Sequence, residues 1–135
     1  DMNQINLENF DIKENYNLID GSIEKLFLFS SSNGIKILSE LKNFINLKEF
    51  NVTQFEILSN LIAKDYDRNF KIISSYIYNK LREKYLMNFN NRIISRKILK
   101  FFSRISFFTN QKINIDKKKE LHFFLTEYLD TNIYE

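Results

Sequence analysis

Cysteine, proline and tryptophan are absent from this chain, glycine occurs twice and histidine once. Without Cys there are no disulfides, no cysteine nucleophile and no thiolate metal site. The lone His122 rules out paired-histidine ligation and a catalytic His dyad. A chain without thiols fits reducing and oxidising compartments alike. No Pro-rich or Gly/Ser-rich linker divides the sequence and no internal repeat is visible, so residues 21–135 read as a single helical domain. No apolar run approaches the roughly 18 residues of a membrane span, and the mixed, acidic N-terminal stretch is unlike a signal or transit peptide. The expectation is a soluble, intracellular protein with no integral membrane association.

What is present suffices for an ordinary hydrophobic core. The chain has 135 residues, 44% of them hydrophobic. A domain of that size buries roughly 68% of the surface exposed by its unfolded form, without metal or disulfide staples. Ile (19), Asn (18), Lys (15) and Phe (14) abound, while Ala63 and Val52 are each single. A- and T-rich codons favour these residues, so the totals reflect nucleotide bias as well as protein chemistry. Position along the chain is the better witness.

Residues 1–20 place apolar side chains with period two in fragments, Ile5 with Leu7, Phe10 with Ile12 and Tyr16 with Leu18, among Asn, Asp and Glu. That pattern predicts an extended, partly ordered acidic arm. From Gly21 the period moves toward 3.6. Ser22 is placed to cap a short helix ending near Phe29, and Ser30 to Gly34 reads as its terminating turn. Ile35, Leu38, Leu41 and Ile45 share one stripe of a second helix. Thr53 and Glu56 have the S/T-x-x-E spacing of a third helix start, with Phe55, Leu58, Leu61 and Ile62 on its buried face. After a turn over Asp65 to Asn69, a longer helix to about Met87 carries Phe70, Ile73, Ile77, Leu81 and Tyr85. The next, over about 91–108, carries Ile94, Ile98, Phe101, Phe102, Ile105 and Phe108, and a last one from Lys117 to Leu129 buries Leu121, Phe124, Leu125 and Tyr128. The fold class read from this is all-α, a compact bundle of five to six amphipathic helices with an extended N-terminal arm. One alternative stays open. Residues 105–115 also fit a β-hairpin, two β-branched and aromatic runs around Thr109-Asn110-Gln111, which would give the element order of a winged-helix-like α+β domain.

Charge is distributed unevenly. Residues 1–67 hold 6 basic and 11 acidic side chains, residues 68–104 hold 10 basic and only Glu83, and residues 105–135 hold 4 and 5, which together give the net +3. A basic middle third therefore hides behind a modest total. At about 100° per residue from Arg92, the side chains of Arg96, Lys100, Arg104 and Lys97 fall near about 40°, 80°, 120° and 140°, opposite the Ile and Phe stripe. Five cations share one flank over about 18 Å, enough to meet several phosphates of a nucleic acid. Ile93 intrudes on this flank, and Phe107 joins it if the helix runs that far. Lys80, Arg82 and Lys84 on the preceding helix, beside Tyr78 and Tyr85, are candidates for an outer ring with stacking platforms. Against this stands plain solvated surface, although such a surface normally mixes both signs. The acidic arm, with Glu8, Asp11 and Glu14, is the other candidate counterpart of the cations.

Several motifs fall short of chemistry. Asp65-x-Asp67-x-Asn69 begins like a calcium loop, but Phe70 stands where Gly is needed and Tyr76 where the bidentate Glu belongs. Helix capping is the expected use. The Ser30 to Gly34 stretch lacks the Lys-Ser/Thr pair of a phosphate loop, and Asn51-Val52-Thr53 is a formal glycosylation sequon. No acid, base and nucleophile set assembles, so neither an enzyme nor a cofactor is expected. Two functions remain. The first is a non-catalytic module docking Arg92, Arg96, Lys97, Lys100 and Arg104, with Lys80, Arg82 and Lys84 outside them, on DNA or RNA with little sequence specificity. The second is a helical protein-protein interaction subunit of a larger assembly or an inhibitor-type binding protein, with a protein partner or self-association and no nucleic-acid role, supported by 14 Phe and 7 Tyr.

Overall fold

Ser22 starts the first helix, its side chain accepting from the Lys25 amide at 3.2 Å, and α1 runs over Ile23–Ser30 in the computed structural model, which describes residues 22–109 and 116–132. α2 (Ser32–Asn46) follows with only Ser31 between them. The turn expected over Ser30 to Gly34 is thus compressed into one residue. Ser31 Oγ serves both helices, donating to the Leu28 carbonyl at 3.0 Å and accepting from the Gly34 amide at 3.0 Å. Gly34 does not cap α1. It sits in the first turn of α2, where a Cβ would collide with the Leu28 carbonyl oxygen and lie 2.9 Å from that of Phe29.

α3 (Val52–Ile62) is capped by Asn51, whose side chain accepts from the Gln54 amide at 2.9 Å. Thr53 is therefore inside the helix and not its cap. Asn is at least as good a cap as Thr, and the earlier start adds the Phe55 amide to Asn51 carbonyl hydrogen bond at 2.9 Å. Glu56, freed of a capping role, pairs with Lys118 of the last helix at 2.9 Å.

A 3₁₀ turn, Ala63–Asp65, leads straight into α4 (Tyr66–Met87). Asp65 makes no side-chain capping bond. Buried Asn69 holds the joint instead, its Nδ2 donating to the Ile62 carbonyl at 3.4 Å and its Oδ1 accepting from Asn33 Nδ2 at 3.1 Å. Asn88 closes α4 by donating to the Lys84 carbonyl at 2.9 Å. Asn91 opens α5 (Arg92–Thr109), accepting from the Ile93 and Ile94 amides at 3.0 and 3.3 Å. Asp116 caps α6 (Lys117–Asp130).

Ile105 to Phe108 are helical, which overturns the winged-helix alternative. Their β propensity yields to tertiary burial: Ile98, Phe101 and Ile105 continue the helical spacing into the core, and Phe108 stacks on Phe123 at 4.1 Å. The arm over residues 1–20 and the hairpin's later part, 110–115, lie outside the described residues.

All six helices contribute to one core, through Phe29, Ile37, Leu41, Leu58, Ile73, Leu81, Phe101 and Leu125 among others. α2 packs on α3 and α4, and α5 packs on α4 and α6, so the molecule is an all-α compact bundle with no strand among the described residues. Two members of the expected buried faces stand at its rim, since Tyr85 is 42% and Phe102 40% exposed. α4 outlasts the core beneath it, and Phe102 leans on Tyr78 with ring centroids 5.4 Å apart.

Candidate functional site

α5 carries the cations because its sequence alternates them with the apolar stripe that faces α4 and α6. Ile98, Phe101 and Ile105 are buried, which turns Arg92, Arg96, Lys100 and Arg104 outward as exposed side chains and leaves Lys97 half-buried. The helix begins without an acidic residue in its first turn, so Arg92 sits at the positive end of the helix dipole, where a cation is disfavoured. Among the described residues, no carboxylate lies within ion-pairing distance of Arg92, Arg96, Lys97 or Lys100.

Arg104 differs. Its Nε lies 2.9 Å from Oε2 of Glu127, a carboxylate almost buried in α6. The fifth cation of the row thus neutralises an internal charge and is committed to the fold. A cleft of about 190 Å³ opens beside it, lined by Lys97, Lys100, Phe101 and Arg104 from α5 and by Glu127, Asp130 and Thr131 from the end of α6.

The candidate outer ring does not gather into one patch. On the continuous helix α4, about 100° per residue puts Arg82 roughly 160–200° away from Lys80 and Lys84. Lys80 lies 5.5 Å from the centroid of the Tyr76 ring, which Lys42 also approaches at 5.9 Å, and its Nζ is 3.9 Å from Glu83. Arg82 is exposed and Lys84 half-buried. Tyr78 packs against both Phe102 and Phe124 and is 38% exposed, and burial raises the pKa of its hydroxyl above the ordinary value.

Ile93 and Phe107 stand on the cation flank as expected, 68% and 70% exposed, since the helix continues to Thr109. Three features were not legible in the sequence. Leu99, 63% exposed, flanks the cations as well. The tip between α4 and α5 exposes Leu86, Met87 and Phe89. Glu127 and Asp130 stand opposite the cations, yet they belong to another helix, and helical periodicity says nothing about which residues of two helices meet. Asp65 and Asp67 are both exposed, with Asp67 3.7 Å from Lys117, and among the described residues no cluster of three His, Asp or Glu side chains is placed to share a metal. His122 packs on Phe50 at 4.3 Å. No helix among the described residues is long and apolar enough to cross a membrane. No protein-family model, curated protein or solved structure matches this chain.

Proposed function

We propose that this protein is a non-catalytic nucleic-acid-binding module that docks through the outer flank of α5. The carrying observation is the row of exposed Arg92, Arg96 and Lys100 with half-buried Lys97 among them, none with a carboxylate partner among the described residues. Four such charges on one rigid helix repel one another and gain from a polyanion, whose phosphates release counterions when they are neutralised. Arg92 at a helix N-terminus strengthens the case, since there the helix dipole disfavours its charge, and an incoming phosphate would meet the guanidinium at the positive end of that dipole. Contacts of this type give affinity and position with little sequence reading. The test is an Arg96→Glu/Lys100→Glu variant in a DNA and RNA binding titration at low salt. The expected result is at least a tenfold loss of affinity with an unchanged circular dichroism spectrum, because the two charge reversals remove two phosphate contacts and add two repulsions. Unchanged affinity would falsify this site.

The exposed apolar tip supports a second reading, a protein-protein interaction subunit. Leu86, Met87, Phe89 and Ile93 are 61 to 80% exposed and adjoin Arg92. Such a cluster matches a partner with an apolar hollow and an acidic rim better than a second copy of the same patch, which would set like charges face to face.

A further inference from the structure

The cleft between α5 and the end of α6 is chemically unlike the rest of the flank. Its α5 wall brings Lys97, Lys100 and Arg104, and its α6 wall brings Glu127, Asp130 and Thr131. Glu127 is held in place by Arg104 at 2.9 Å. Asp130 is exposed and has no ion-pair partner among the described residues, although it lines the same cleft as two lysines. It is also the last residue of α6, where the helix dipole disfavours a carboxylate. Among the described residues, no ion pair accounts for an acid at that position. A duplex lying along the cation row gains nothing from it either, because its phosphates would approach the Asp130 carboxylate.

A single strand resolves the conflict. Its phosphates can pair with Lys97 and Lys100 while one unstacked base turns into the cleft, away from its own backbone. About 190 Å³ is below the 300–1,000 Å³ of pockets for drug-sized ligands and suits a lone base with its sugar outside. The carboxylates select among bases by what they accept. Guanine offers adjacent ring N–H and amino donors that match the two oxygens of one carboxylate, whereas thymine or uracil offers one N–H flanked by two carbonyls that a carboxylate repels.

We propose that this cleft is a base subsite, with Asp130 as its reader, which makes the protein a single-strand binder that favours guanine. The inference rests on the nucleic-acid reading above and adds strandedness and base preference to it. The subsite needs Asp130 ionised and free, Glu127 locked by Arg104, and Lys97 and Lys100 on the neighbouring phosphates.

The experiment compares, by fluorescence anisotropy, the full chain and an Asp130→Ala variant on three probes: an oligothymidine, the same oligomer with isolated guanines, and the duplex of the latter. Lithium buffer keeps the guanines from associating. The expected result is about fivefold or tighter binding of the guanine-bearing strand over both other probes, the scale of one bidentate base contact. Asp130→Ala should abolish that difference and leave oligothymidine affinity equal or higher, since a negative charge leaves the site. Equal binding of the two single strands, equal binding of the duplex, or a guanine preference that survives in Asp130→Ala overturns the subsite while the polyanion reading stands. Failure to bind any probe at low salt overturns that reading and the subsite with it.

Discussion

Gly34 is where a single missing atom decides how two helices meet. In the interior of an ordinary helix Gly→Ala gains about 1 kcal/mol from propensity. Here a Cβ meets backbone, the Leu28 and Phe29 carbonyl oxygens, which cannot swing aside as a flexible side chain would. Overpacking therefore wins, and Gly34→Ala should lower the unfolding free energy by about 1–3 kcal/mol in urea denaturation. A gain in stability would show that α1 is free to shift. Tyr66 offers a pH-dependent counterpart. Its hydroxyl donates to Glu120 Oε1 at 3.1 Å, and burial first, then the charge of Glu120, raises it well above its ordinary value of 10.0. The folded phenol keeps its proton where the unfolded one loses it. The contribution is complete below pH 10.0 and is lost as pH rises beyond it. Tyr66→Phe should cost about 1 kcal/mol at neutral pH and make the urea midpoint fall less steeply with alkaline pH than in the parent chain.

At the scale of elements, α5 and α6 are joined by charge as well as by aromatic packing. Phe101 meets Phe124 and Tyr128 with ring centroids 5.6 and 6.4 Å apart, and Arg104 covers the nearly buried Glu127. Removing the arginine strands that carboxylate. A fully buried pair broken on one side costs about 3–5 kcal/mol, but the Arg104 side chain is 51% exposed, so Arg104→Ala should destabilise by about 2 kcal/mol. Arg104→Ala/Glu127→Gln should recover much of that loss in the same denaturation assay, which separates the pair from lost packing. The position of α5 and its apolar stripe were legible in the sequence because Ile98, Phe101 and Ile105 repeat at helical spacing. The caps were legible only in part. Ser22 was visible, whereas Asn51 was hidden behind the Thr53 and Glu56 pattern, since two adjacent cap candidates look alike until the start of the helix is known. The close seam at Gly34 was illegible for a different reason: a glycine required by a neighbouring backbone has the same letter as one that ends a helix.

For the whole molecule, the decisive quantity is how many positive charges remain for a partner after the fold has used its share. The sequence places five on the flank of α5. Arg104 is committed to Glu127, and Lys80, once assigned to the outer ring, lies against Tyr76 and Glu83. Arg92, Arg96, Lys97 and Lys100 are left without a carboxylate partner among the described residues, and this count sets a number that a titration can read. Each phosphate neutralised on a single strand contributes about −0.7 to the slope of log K against log salt, so four contacts predict a slope of about −3. Lys100→Gln should reduce its magnitude by about 0.7 and weaken binding nearly uniformly across sequences, as expected of a phosphate contact. Arg104→Gln should leave the slope almost unchanged although it removes the same formal charge, because that charge is already spent inside the bundle. If both substitutions shift the slope equally, the Arg104 to Glu127 pair opens on binding and the free row has five members. If neither does, the outer flank of α5 is not a polyanion site.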